Sequence, residues 1–170
     1  MRGWNRQDAR TPVGFSGSGS NFLVGLPIIP LVKGYRTPTA VFEEPDPELD
    51  GYASDVVHAC REVHQVLGPG YLESVYEKAV CIELQLRGVE FERQVPVRLW
   101  YKGASVGEHR FDLLIRRRLI VELKAVESLS PVHLVQVRSY LKARGERLGL
   151  LVNFNVPLLL QGVRRVILPQ

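Results

Sequence analysis

The sequence predicts a mixed α/β domain, an α+β sheet flanked by helices, over residues 51–170 of a 170-residue chain. Three observations carry this. Apolar residues recur at helical spacing from Val56 to Leu86, and the period falls to two from Val89 to Tyr101. The run Leu148 to Phe154 is almost wholly apolar, as in a strand buried on both faces. The length suits one domain, and no stretch of eighteen apolar residues is present to span a bilayer.

In the first helix Val56, Val57, Cys60, Val63 and Val66-Leu67 form the apolar stripe, Ser54 is the expected N-cap, and Gly68-Pro69-Gly70 is the stop. In the second, Leu72, Val75, Ala79, Ile82 and Leu86 make one stripe, with Gly88 at the C-terminal position. Val89, Phe91 and then Val95, Val97, Leu99 and Tyr101 alternate with polar neighbours as half-buried strands do, and Lys102-Gly103 marks a turn. Arg110 to Ile115 and Leu119 to Ala125 read as hairpin partners around the tight basic turn Arg116-Arg117-Arg118. Ser130-Pro131 opens a helix, with Ser as N-cap and Pro at the first helical position, that runs to about Ala143 before Gly145. Strands at Leu148 to Phe154 and Val163 to Leu168 complete the order α-α-β-β-β-α-β-β.

Residues 1–50 differ in kind. Gly and Pro supply 12 of these 50 residues and 14 of the other 120, and Gly14 to Ser20 is low-complexity. The apolar run Phe22 to Val32 is broken by Gly25, Pro27 and Pro30. Arg2, Arg6 and Arg10 precede it, but a secretory signal would need closer basic residues and a small-residue cleavage site. Asp46 to Asp50 reads as an acidic linker. The segment is therefore expected to be a low-complexity extension without stable structure, or an artefact of start-site choice. Met1 is the only methionine, and a codon such as that of Val41 would serve as a downstream start.

Charge is uneven. The chain carries +4 overall, with −1 on residues 1–50 and +5 on residues 51–170, as suits a domain that meets phosphate. Two cysteines, Cys60 and Cys81, exclude a disulfide scaffold and a four-thiolate zinc site. Both fall in apolar helical patterns and are expected to pack in the core of a reduced, cytoplasmic protein.

The chemistry centres on Asp112, Glu122 and Lys124, each mid-strand among apolar neighbours. Residues i and i+2 share a strand face about 7 Å apart, so Glu122 and Lys124 project together, and the hairpin brings Asp112 beside them. Buried charges are costly unless something holds them. Two converging carboxylates suit a hard divalent cation, and a lysine beside them can orient or deprotonate a water for attack on phosphorus. A structural Glu–Lys pair on a sheet face explains these residues equally well when they are taken alone. Glu73 and Tyr76 lie three apart on one helical face, and Glu73 offers a third carboxylate or a first-turn acid that favours the helix dipole. His133, Gln136, Tyr140 and Arg144 share a stripe of the last helix. Gln136 and Tyr140 suit a phosphate or base edge and Arg144 a neighbouring phosphate, or the stripe is a solvated face.

Asp112, then Glu122-x-Lys124, then Gln136-x-x-x-Tyr140, on an αβββαβ order, resembles the PD-(D/E)XK nuclease superfamily, and the Gln-x-x-x-Tyr element its exonuclease-type branch. More narrowly, Val63-His64 and Leu67 to Tyr76 resemble the GxxExxY protein family. So do Pro96-Val97, Tyr101-Lys102-Gly103, Val121 to Val126 and Leu150 to Phe154. The resemblance covers roughly residues 52–170. It implies a restriction-endonuclease-like αβββαβ core with an added N-terminal helix, hydrolysing phosphodiesters with Mg²⁺, or with Mn²⁺ as the other candidate. Carried over by position, Asp112, Glu122 and Glu73 are metal ligands and, with Lys124, the catalytic set. Tyr76, Gln136, Tyr140 and Arg144 are expected to contact nucleic acid, DNA rather than RNA. His64 and His133 match family positions too, and His64, before the Gly-Pro-Gly turn, is expected to make a structural hydrogen bond.

Two functions of different class follow: a metal-dependent nuclease, or a nucleic-acid-binding or regulatory module that keeps the fold without turnover. Lys124 favours the first, because phosphate binding alone needs no lysine beside two acids. Modest charge and no obvious DNA-reading appendage keep the second in view. The ribbon Val89 to Tyr101 is a candidate dimer edge, while the sequence leaves the oligomeric state open.

Overall fold

The structure, a computed structural model, describes residues 46–169. What the sequence suggested for residues 1–45 lies outside the described residues. Helices α1 (Pro47–Leu67) and α2 (Glu73–Leu86) precede strands β1 (Phe91–Tyr101), β2 (Ala104–Ile115) and β3 (Leu119–Lys124). Helix α3 (Pro131–Arg144), strand β4 (Leu148–Asn153), a short helix α4 (Leu159–Gly162) and strand β5 (Val163–Ile167) follow. The five strands form one sheet in the order β1-β2-β3-β4-β5, all neighbours antiparallel except β3 and β4, which run parallel across the α3 connection. This is the expected mixed α/β architecture. No helix among the described residues is long and apolar enough to cross a membrane.

Helix α1 begins well before Ser54. Asp46 is the N-cap, its carboxylate accepting from Leu49 N–H at 2.9 Å, Pro47 opens the helix, and Leu49 is buried. The acidic run read as a linker is thus a helix start, where acids favour the dipole and proline needs no donor. Gly68, at φ 67°, ends the helix as expected. Helix α2 departs from the sequence reading in its orientation. Leu72, Val75, Ile82 and Leu86 are exposed, and the buried face is Tyr76, Glu77, Val80, Cys81 and Leu84. The helix carries two apolar stripes, and the one that Tyr76 anchors by stacking on Phe154 (4.4 Å between centroids) is the one turned inward.

Two cores sandwich the sheet. On one face α1 and α2 pack Val56, Cys60, Val80 and Leu84 against Leu113, Val121, Leu123, Leu150 and Val152. On the other, Val137, Tyr140 and Leu141 of α3 meet Val97, Phe111, Leu114, Ile120 and Leu151. Strands β3 and β4 feed both layers, which is why their sequences are nearly all apolar.

Strands β1 and β2 change faces partway along. Phe91, Leu113 and Ile115 belong to the α1/α2 layer, yet Val95 and Phe111 belong to the α3 layer. Residues two apart on a regular strand share a face, so Phe111 and Leu113 should lie together. The break falls at Gln94, with φ 49°, and at Asp112, between the pairs Arg93↔Leu113 and Val95↔Phe111. This kink takes Asp112 out of the ordinary alternation. Beyond it the β1–β2 hairpin continues as an arm whose residues 101–110 are all exposed.

Candidate active site

Lys124 ends β3, and its ammonium lies 2.6 Å from Glu122 Oε1 and 3.7 Å from Glu73 Oε1 on the first turn of α2. Asp112 is held from two sides. Its Oδ2 accepts the Leu123 backbone N–H at 2.7 Å, and its Oδ1 accepts from Gln94 Nε2 at 3.1 Å. Asp112, Glu122, Lys124 and Glu73 are therefore neighbours, as expected.

Burial sets their protonation. Glu122 is 4% exposed in its side chain, and desolvation, reinforced by the charge of Asp112, pushes its carboxyl up to about 7 despite the bond from Lys124. Desolvation likewise raises Asp112 and Glu73. Burial alone would lower Lys124, but its bond to Glu122 and the charges of Glu122, Glu73 and Asp112 outweigh that, so the ammonium is stabilised. One polar atom stands out: Glu122 Oε2 is buried and has no hydrogen-bond partner among the described residues. A carboxylate oxygen left so is a donor of the kind a hard divalent cation takes. Among the described residues, no three His, Cys, Asp or Glu side chains form a closed metal-binding group.

Two participants had escaped the sequence reading. Gln94 Nε2 bridges Asp112 to Glu77 Oε2 (3.0 Å), and Glu77 Oε1 accepts from Arg93 at 2.9 Å. Glu77 lies one helical turn from Glu73, the i, i+4 spacing that could have flagged it; nothing in the strand pattern singles out Gln94. The segment after Lys124 is clamped by Asn153, which bonds both the N–H and the carbonyl of Val126 (3.0 and 2.7 Å), and by Phe154 N–H donating to Lys124 O at 2.8 Å.

The expected nucleic-acid contacts divide. Tyr76 is fully buried, donates to Gly68 O at 2.7 Å and accepts from Tyr71 N–H at 3.2 Å. It pins the Gly-Pro-Gly loop that leads to Glu73, and with no exposed surface it is placed to hold that loop rather than to meet nucleic acid, contrary to the expectation. Tyr140 is also buried, among Phe111 and His109, and its hydroxyl accepts from Gln136 at 2.6 Å. Gln136 is half-buried and is the more accessible member of the pair. Arg144 is exposed in the last turn of α3, about 12 Å of helix rise beyond Gln136. Its charge is felt by Glu146 together with that of Arg118, so it belongs to the turn end of the domain. At that turn each basic side chain has a surface partner. Arg118 pairs with Asp46 and Glu48, Arg117 with Glu92, and Arg116 lies over the Tyr52 ring.

His64 Nε2 bonds Val156 O at 2.9 Å, the expected structural role, and His133 Nδ1 accepts from Ser130 N–H in the cap of α3. Cys60 and Cys81 are buried thiols, pushed by burial up to about 12 and about 11.

A family model described as the PD-(D/E)XK nuclease superfamily matches residues 50–166, which include every element of this cluster. No curated protein matches the sequence. Among solved structures, a crystal structure of SSO0001 is similar at 19% identity and a TM-score of 0.44. The match covers 73% of this chain, and the chain spans 63% of the length of that one.

Proposed function

The chain belongs to the PD-(D/E)XK nuclease superfamily, and on that premise we propose that it is a metal-dependent nuclease whose catalytic residues are Asp112, Glu122, Lys124 and Glu73. The observation that carries the reading is the unpartnered, buried Glu122 Oε2 beside Asp112 and Lys124. Asp112 and Glu122 would hold Mg²⁺ or Mn²⁺, with Glu73 directly or through water. The cation supplies charge neutralisation and polarises a phosphoryl oxygen. The Leu123 N–H and Gln94 fix the Asp112 carboxylate in place. Lys124, held as ammonium, orients the attacking water or donates to a phosphoryl oxygen rather than deprotonating the water. Gln136, supported by Tyr140, is placed to bond substrate.

The finer placement among GxxExxY proteins is also our reading. It rests on Gly70, Glu73 and Tyr76, with the Tyr fixing the loop and the Glu aimed at Lys124. DNA is the favoured substrate over RNA. A second reading, a nucleic-acid-binding module without turnover, is favoured by one observation: Lys124 already neutralises Glu122 at 2.6 Å.

Incubating the protein with labelled single-stranded and duplex DNA and RNA, with Mg²⁺ or Mn²⁺ and with EDTA, tests the choice. Metal-dependent cleavage of any of the four supports the nuclease. Binding in Mg²⁺ with none of the four cut leaves the module.

A further inference from the structure

The candidate site is strongly acidic. Glu73, Glu77, Asp112 and Glu122 stand against Lys124 and Arg93, so without a cation it repels a phosphodiester strand. The arm that continues β1 and β2 beyond the kink has the opposite character. From Val97 to Arg110 it carries Arg98, Lys102 and Arg110 against Glu108, a surplus of positive charge. The register sets Arg98 opposite Glu108 and Pro96 opposite Arg110; it then shifts between Leu99 and Trp100, with Val106 the extra residue on β2, so β1 runs on without an added residue and Trp100 follows Arg98 by two positions. Arg98 and Arg110 share the single Glu108 carboxylate loosely, at 3.9 and 3.6 Å. Trp100 is 64% exposed opposite small Ser105, so the fold does not need its indole there.

Spacing orders the residues of the arm outward from the kink at Asp112. Arg110 is two residues from Asp112, Arg98 pairs four residues away, and Trp100 pairs seven residues away. With Val106 the extra residue at the register shift, these are about 7, 13 and 20 Å at strand rise. A stacked duplex base offers an indole no free face, whereas an unpaired base does.

We propose that the β1–β2 arm is a guide for single-stranded nucleic acid: Trp100 stacks on an unpaired base, and Arg98 and Arg110 hold phosphates between that base and the acidic site. The direction in which the strand is led rests on the nuclease reading, whereas binding by the arm does not.

The chain has two tryptophans, Trp100 and Trp4, the latter outside the described residues. In a full-length Trp4→Phe variant Trp100 emission therefore reports the arm alone, with no change to the arm itself. Titration with a twelve-residue oligothymidylate in EDTA should quench it saturably. Trp100→Ala should weaken binding of the labelled oligomer about fivefold to a hundredfold with an unchanged thermal midpoint. Replacing both Arg98 and Arg110 by Ala should lower the salt slope by about 1.4. Binding that leaves Trp100 emission unchanged would overturn the proposal. Equal quenching by a duplex would do so too, as would emission that shifts with protein concentration alone, the mark of a second copy seated on the arm. Quenching without metal-dependent cleavage would sink the nuclease reading and leave the arm standing. Cleavage and binding untouched by Trp100→Ala would do the reverse.

Discussion

The two ends of the β2–β3 hairpin handle charge in opposite ways. At the turn, Arg116 and Arg117 are exposed and Arg118 is half-buried, and each has a surface partner in Tyr52, Glu92 or the Asp46 and Glu48 pair. Such pairs contribute about 0–1 kcal/mol each. At the far end, acids outnumber cations, Glu122 is almost fully buried, and one of its oxygens has no partner among the described residues. A run of like charges in a sequence catches the eye, but buried charge in excess carries a desolvation cost and so marks a candidate functional site.

The largest effect expected is at the acidic end. Asp112→Asn should cut cleavage at least about 100-fold, because it removes part of the charge that holds a hard cation. It should also weaken Mg²⁺ binding by calorimetry. An Asp112→Asn enzyme that binds Mg²⁺ as the wild type does would break the contrast.

Stability against pH sharpens the comparison. Glu122 titrates at about 7 in the folded chain against an ordinary 4.5, so between these values the folded state keeps a proton that the unfolded chain has lost. Stability is then full below pH 4.5 and falls as pH rises through 7, by about 3 kcal/mol at most. Asp112 and Glu73 shift upward too and add to the slope, while Lys124 titrates above this window. Thermal midpoints in EDTA should therefore fall from pH 5 to pH 8. Glu122→Gln should remove most of the fall, and excess Mg²⁺ should restore the midpoint at pH 8. A flat profile would show that the cluster carries no stored penalty.

Tyr76→Phe should cost about 1–2 kcal/mol by denaturant unfolding, since it leaves the Tyr71 N–H and Gly68 carbonyl without their partner. Nucleic-acid affinity should be unchanged where the protein is folded. At the turn, Arg116 and Arg117 sit at φ 46° and 61°, with Arg118 N–H bonded to Ile115 O, a geometry that suits glycine. Arg117→Gly should stabilise by about 0.5–1 kcal/mol and leave cleavage alone. A loss of cleavage would place this turn in the substrate path.

How far the sequence could be read follows burial. Strands β3 and β4, apolar on both faces, and the Ser130-Pro131 and Gly68 helix boundaries were legible because burial and capping leave local marks. Strand β2 was expected only from Arg110, whereas it begins at Ala104. Its outer half is exposed throughout, so burial imposes no apolar alternation there. Asp46-Pro47 carried a cap signal, outweighed in the reading by the acidic run around it. Glu122, Lys124 and Asp112 were legible because charges in apolar strands need a reason. Tyr76 was misplaced because a residue three positions from Glu73 lies about 60° around the helix, enough to turn one outward and the other into the core. The kink at Gln94 left no mark, since left-handed backbone at a glutamine has no signature in sequence.

The central claim, that the buried cluster performs hydrolysis rather than only holding phosphate, is tested most directly by comparing cleavage rates of wild type and Lys124→Ala in saturating Mg²⁺, with oligonucleotide binding followed in the same samples. The expected result is a fall of about 10²- to 10⁴-fold in rate with binding largely kept, because in the proposed mechanism Lys124 would act on the water and the phosphoryl group rather than on the metal. Cleavage by Lys124→Ala at the wild-type rate would contradict it.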